Sequence, residues 1–308
     1  PYNKQFNADF DPDNCYIFVI DTASSSFSNP YSFVPTSQAR VPHIAFWSQD
    51  PTAYIVNWGD GCFETVTNSR CNHTYRKHGI YIVQVKPLAT NFQTYYNPVV
   101  YGGPNDIRDG KLVGIISWPK NTTALLQTQF FNRCDFVPPY LPPGIAGLNG
   151  FNLTYGLLKG IEYWDVSKLT TVPSMNGNSS MNRDLSNWVL NTGVTNLSSM
   201  FAGCTNFNNG DPPNTYIAGV PSRPAGDNLN RWNTSNITNM NNMFNNGQTN
   251  MGFNQNLSGW NVSKVTDFGG MFSSSYNSSH GFNGNLSGWQ LVAYPVNLSL
   301  IHISEPTR

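Results

Sequence analysis

Two periodicities divide this chain. Between residues 15 and 90, short apolar runs rich in β-branched and aromatic residues alternate with turn formers: YIFVI from Tyr16, YIVNW from Tyr54 and IYIVQV from Ile80. Runs of this length, separated by clusters such as SSSFSNP, GDG and KHG, predict the strands of an all-β sandwich. Beyond residue 112 the pattern changes. Val265, Phe268, Met271 and Phe272 fall at i, i+3, i+6 and i+7. Ile237, Met240, Met243 and Phe244 repeat that spacing, as do Val194, Leu197, Met200 and Phe201. The spacing predicts one buried face of a short helix in each copy, with Ser263, Ser235 and Thr192 as N-caps. After each helix an Asn/Gly/Ser loop leads to a short strand around Leu257 or Leu286. A bend at Gly259 or Gly288 would then carry the next tryptophan along the edge of the array.

These copies belong to one repeated phrase headed by tryptophan. WNTSNITNMNNMF starts at Trp232, WNVSKVTDFGGMF at Trp260, and FNQNLSGW or FNGNLSGW delivers the next Trp. The intervals from Trp164 through Trp188, Trp232 and Trp260 to Trp289 are 24, 44, 28 and 29 residues. A period in the twenties predicts an array in which each unit packs on its neighbours. Trp164 opens a decayed copy, and Trp118 heads a degenerate first one. Loop asparagines such as Asn254 and Asn283 are expected to form a hydrogen-bonded ladder between units. The long interval reflects an insertion near residues 206–228, and a second lies in SSSYNSSHGF. Insertions in such arrays gather on one face, so Tyr216, Arg223, Tyr276 and His280 are the candidate binding side chains, suited by type to anchoring a partner.

Composition narrows the function classes. The charges are 17 against 17, so no electrostatic footprint favours nucleic acid. Only 11% of residues are charged, and 41 asparagines supply polarity instead. No apolar run is long enough to span a bilayer. The histidines have no acid–base partners at a recognisable spacing, so the expectation is a non-enzyme without a cofactor. Asp9, Asp11 and Asp13 lack the glycine and glutamate of a calcium loop and read as a solvated turn. Cys134 and Cys204 read as buried apolar residues, whereas Cys62 and Cys71 bracket a hairpin and are a candidate disulfide. The terminal LSLIHISEPTR resembles the translation of a transposase sequencing adapter and is expected to be foreign, which would make the chain a fragment.

NWGDG at residues 57–61 followed by NHTYRKHGIYIVQV at residues 72–85 resembles the polycystic-kidney-disease-type domain, an immunoglobulin-like sandwich of surface proteins. Trp58, Asp60, Gly61, His73, Tyr75, Gly79 and Tyr81 carry the match, and their roles would be structural: Asp60-Gly61 suits a tight turn. The tryptophan phrase resembles the BspA-like leucine-rich repeat surface proteins, which share their repeat with mycoplasma lipoproteins. Trp164, Trp188, Trp232, Met243, Phe244, Trp260, Met271, Phe272 and Trp289 carry that match.

The resemblances imply a mixed fold: a sandwich over 15–90 and a leucine-rich-repeat-like α/β solenoid over 112–297. Residues 1–14 form an N-terminal extension, 91–111 a linker, and 298–308 the foreign tail. They imply a non-enzymatic, surface-exposed or secreted protein that binds a protein or glycan. A phage tail or fibre component is the alternative.

Overall fold

A computed structural model describes residues 10–21, 43–48, 53–67, 70–77, 79–88, 94–95, 111–120, 134–141, 145, 153, 156–211, 229–246, 252–273, 282 and 284–291. The chain divides into two compact units. One comprises Pro1–Pro138 with Pro142–Gly144, the other Pro139–Leu141 with Ile145–Arg308.

The first unit is built from two antiparallel sheets. Its strands are β1 (Tyr16–Asp21), β2 (His43–Ser48), β3 (Tyr54–Asn57), β4 (Phe63–Val66), β5 (Arg70–Thr74), β6 (Ile80–Pro87), β7 (Thr94–Tyr95) and β8 (Lys111–Ser117). The larger sheet has the order β4-β3-β6-β1-β8 and the smaller β5-β2-β7. The three runs read as strands are β1, β3 and β6. In register, Phe18 faces Val83 and Val56 faces Val85. These side chains are buried with Tyr16, Ile20 and Tyr54, which gives the central strands their apolar face. Within this sheet Asn57 donates from Nδ2 to Gln84 Oε1 at 2.7 Å, a hydrogen bond between two buried amides.

Three expectations are corrected here. Residues 91–111 are not a linker, and the array does not begin at 112. β7 lies in that stretch, and β8, which starts at its end and runs to Ser117, pairs with β1 over Ile17↔Ser117 to Asp21↔Lys111. The short β-branched KLVGIIS run forms the edge strand of the larger sheet and matches the repeat consensus only weakly. Trp118 and Cys134 therefore belong to the first unit, where both are buried. The Cys62–Cys71 disulfide does not form, because Cys62 is a free thiol. It sits in the β3–β4 turn of the larger sheet, whereas Cys71 lies in β5 of the smaller one, opposite Phe46.

The third correction concerns the repeat region. The α/β solenoid is absent: no α-helix occurs among the described residues, whose only helical segments are 3-10 turns at Ile161–Tyr163 and Leu229–Arg231. The positions predicted as a helical face are nonetheless buried, including Val194, Leu197, Met200 and Phe201 and their counterparts through Phe272. A left-handed residue at the same place in each copy explains the difference. Ser199, Asn242 and Gly270 have φ of 55°, 54° and 65°, outside any right-handed helix. The chain instead runs as turn-rich coils joined by backbone hydrogen bonds. Leu197, Ser199, Phe201 and Gly203 donate to the carbonyls of Asn239, Asn241, Met243 and Asn245. Met240, Asn242, Phe244 and Asn246 donate onward to Asp267, Gly269, Met271 and Ser273. Isolated parallel bridges at Asn196↔Asn239 and Asn239↔Asp267 mark the same ladder.

Asparagine and aspartate make the corners of each coil. Asn233 Oδ1 accepts from the Ser235 amide and hydroxyl at 3.1 and 2.7 Å, and Asn261 does the same for Ser263. Asp165 and Asp184 take this role for Ser167 and Ser186. A corner at Asn196, Asn239 and Asp267 accepts from the amides of Ser198, Asn241 and Gly269. Ser235 and Ser263 thus complete Asx turns rather than capping helices.

Tryptophan and phenylalanine fill the interior. Trp188, Trp232 and Trp260 lie nearly parallel with centroids 6.3 Å apart, and all three are buried, not on an edge. Phe201, Phe244 and Phe272 form a second column at 5.5 and 5.8 Å. Phe207, Phe253 and Phe282 form a third at 5.8 and 6.1 Å. The bend at Gly259 occurs as expected, with the Trp260 amide donating to the Leu257 carbonyl. At Gly288 a Cβ would lie 2.0 Å from the Ser258 carbonyl oxygen, so close approach of two coils requires glycine there. The loop-asparagine ladder is present. Asn182 Oδ1 accepts from the Asn208 amide, and Asn208 Oδ1 from the Asn254 amide, at 2.8 and 2.9 Å. Asn283 lies outside the described residues.

Candidate functional site

Tyr216, Arg223, Tyr276 and His280 also lie outside the described residues, as does the Leu298–Arg308 tail. The described surface of the array carries a candidate site of another kind. Each coil exposes a short strip ahead of its bridge residue. Thr195, Thr238 and Thr266 occupy the same place in three successive coils, all exposed. The Thr238 hydroxyl donates to the Thr195 carbonyl and the Thr266 hydroxyl to the Thr238 carbonyl, each at 3.2 Å. Backbone amides of the same residues add bonds of 2.8 and 2.9 Å. Beside this column Asn236 Nδ2 donates to the Thr192 carbonyl, and Lys264 Nζ donates to Asn236 Oδ1 at 2.7 Å. On its other side stand Asn196, Asn239 and Asp267. The result is a face of hydroxyls and amides with few charges, whose backbone is already hydrogen-bonded. Sequence reading missed it because threonine inside a repeat consensus looks like filler. The signal that could have found it is its recurrence just ahead of the bridge residue.

The WGDG and HTY residues of the first unit converge as a second cluster. Gly59 has φ 80°, and a Cβ there would lie 2.5 Å from the Ile82 carbonyl oxygen, so the turn after β3 requires glycine. That turn projects Asp60, whose Oδ1 accepts from the Cys62 amide at 3.1 Å and whose Oδ2 lies 2.8 Å from His73 Nε2. The His73 ring stacks on Trp58 at 4.7 Å and meets Tyr75 edge-on at 4.6 Å. The Tyr75 hydroxyl donates to the Trp58 carbonyl at 2.9 Å, and its ring stacks on Tyr81 at 4.0 Å. Partial burial pushes the Asp60 carboxyl up, but the hydrogen bonds from His73 and Cys62 outweigh it and hold the group below its ordinary value. The Cys62 thiol is pushed up by desolvation and then by the Asp60 charge. His73 and Tyr75 therefore tie β5 and its exit to the turn after β3.

The repeat region matches the family described as "Mycoplasma protein of unknown function, DUF285", over residues 149–214 and 222–297. The two matched segments cover the Trp164 to Trp289 phrase and are interrupted only within the long insertion. No curated protein and no solved structure matches the chain. Among the described residues no helix is long and apolar enough to cross a membrane.

Proposed function

We propose that this chain is a surface-exposed or secreted binding protein of the BspA-like type, in which a polycystic-kidney-disease-type sandwich accompanies a recognition array. The observation that carries this reading is the exposed threonine column at Thr195, Thr238 and Thr266 with its amide borders. Hydroxyls and amides repeated at the coil spacing offer a glycan or a polar protein surface the lone pairs and N–H groups left over from their bonds within the array. With few charges, such a contact depends little on ionic strength. The match of the repeat region to a Mycoplasma family agrees with the resemblance to BspA-like repeats, which are shared with mycoplasma lipoproteins. The inserted side chains Tyr216, Arg223, Tyr276 and His280 are the second candidate set.

The test is binding of the purified full chain to a glycan array and to intact cells. Thr238→Lys places a long charged side chain in the middle of the column and should reduce binding at least tenfold while leaving the fold intact. If Thr238→Lys binds normally and the Tyr216→Ala/Arg223→Ala pair does not, recognition belongs to the insertion. Absence of binding to every glycan and cell surface overturns the proposal.

A further inference from the structure

We propose that Asp60, Cys62 and His73 form a binding site for a single zinc-class divalent ion on the first unit. Their ligand atoms, a carboxylate oxygen, a thiol sulfur and an imidazole nitrogen, all lie within 4.8 Å of one another. A tetrahedral zinc ion holds such donors at about 2.0–2.3 Å, which separates them by about 3.4–3.6 Å. Asp60 and His73, at 2.8 Å, would open by roughly 0.6 Å to reach that separation. Cys62, whose sulfur lies no more than 4.8 Å from the other two ligand atoms, would close inward by at most about an ångström, a rotamer-scale adjustment for an exposed side chain.

Preorganisation distinguishes this cluster from a chance surface grouping. The Trp58 face and Tyr75 edge hold the His73 ring with Nε2 directed at Asp60. The Asp60 carboxylate is fixed through the Cys62 amide and sits between two glycines with φ of 80° and 95°. Zinc entry replaces the Asp60–His73 hydrogen bond with two coordinate bonds, and the Cys62 thiol releases its proton to solvent as it becomes thiolate. Three protein ligands leave a fourth position for water or a donor from a partner, the pattern of an open site. The donor set also selects the class. One carboxylate is too few oxygens for calcium or magnesium, whereas thiolate and imidazole suit zinc. Asp60 and Cys62 are exposed and His73 is half-buried, so an ion reaches the site directly from solvent.

The experiment uses the full chain without an affinity tag, reduced with a phosphine, and titrated with Co2+ and then Zn2+. One equivalent of Co2+ should produce a near-ultraviolet thiolate-to-cobalt band and visible ligand-field bands that Zn2+ abolishes. Cys62→Ser should remove the thiolate band and weaken Zn2+ binding at least tenfold. Asp60→Asn should weaken Zn2+ to a similar degree, and Cys71→Ser should leave both signals intact. If Asp60→Asn disturbs folding, Cys62→Ser carries the test, because its side chain is exposed. No thiolate band in the parent chain, or a band that survives Cys62→Ser, overturns the proposal.

Discussion

The indole Nε1 of Trp260 donates to the carbonyl oxygen of Leu229, 2.7 Å away in the preceding coil. The same bond joins Trp188 to Ile161, Trp232 to Leu185 and Trp289 to Leu257. A repeat built on Trp rather than Phe at this place thereby gains a polar tie inside an apolar column, since a buried indole N–H requires an acceptor. Trp260→Phe removes the donor and shrinks the ring. The expected loss is about 1–3 kcal/mol, read as a lower urea midpoint. A change below about 0.5 kcal/mol, the level of an ordinary surface substitution, would show that the bond contributes nothing.

Phe244 touches more of the interior than any single tie. Its ring lies 3.8 Å from Phe253, 5.5 Å from Phe201 and 5.8 Å from Phe272. Phe244→Ala should cost about 3–5 kcal/mol in a denaturant melt, the range for a buried phenylalanine. Intact stability in that variant would mean that the neighbouring columns close over the gap.

Corner chemistry gives a substitution rule. Aspartate serves at residues 165 and 184 where asparagine serves at 233 and 261, because only the Oδ1 acceptor is used. Asn261→Asp should therefore leave stability within about 0.5 kcal/mol, while Asn261→Ala should cost about 1 kcal/mol by losing the bonds to Ser263. Equal melting of the alanine and aspartate variants would remove the Asx turn as the reason for the consensus.

Thiol reactivity should follow burial. Burial pushes the Cys204 thiol from 9.0 to about 12, partly offset by the Asn178 backbone, and its sulfur donates to the Met175 carbonyl. Burial likewise pushes Cys15 up to about 11, which Lys86 opposes and Asp11 reinforces. In a Cys71→Ser background, native protein at pH 8 should be alkylated at Cys62 only, as peptide mass mapping would show. A raised folded-state value also sets a sign. Stability from Cys204 is complete below about pH 9, where the unfolded thiol is still protonated, and is lost as pH rises towards about 12. Cys204→Ala should flatten that alkaline decline.

Burial was far more legible in the sequence than conformation. The spacing of Val265, Phe268, Met271 and Phe272 correctly marks four inward side chains, but periodicity reports only which side faces the core. A turn that passes through φ 65° at Gly270 turns the same residues inward without a helix. The contrary signal was present in the asparagines, whose side chains compete with the helical backbone and favour turns. β1, β3 and β6 were legible because their apolar runs are flanked by strong turn formers. β8 was not, since a lone hydrophobic strand far from its partner in sequence carries no mark of its pairing with β1. The Asp60–His73 contact lay inside a recognisable motif, yet its 13-residue separation gave no metal spacing, and Cys62 was read as half of a disulfide.

The tie between Trp260 and Leu229 also has a direction. In every observed instance the indole belongs to the later coil and the carbonyl to the earlier one. During synthesis the acceptor leaves the ribosome before its donor, so each emerging tryptophan meets a docking edge that already exists. The array is thus suited to vectorial growth, each finished turn acting as the template for the next, and a defect in one coil would be felt first by the coil made after it.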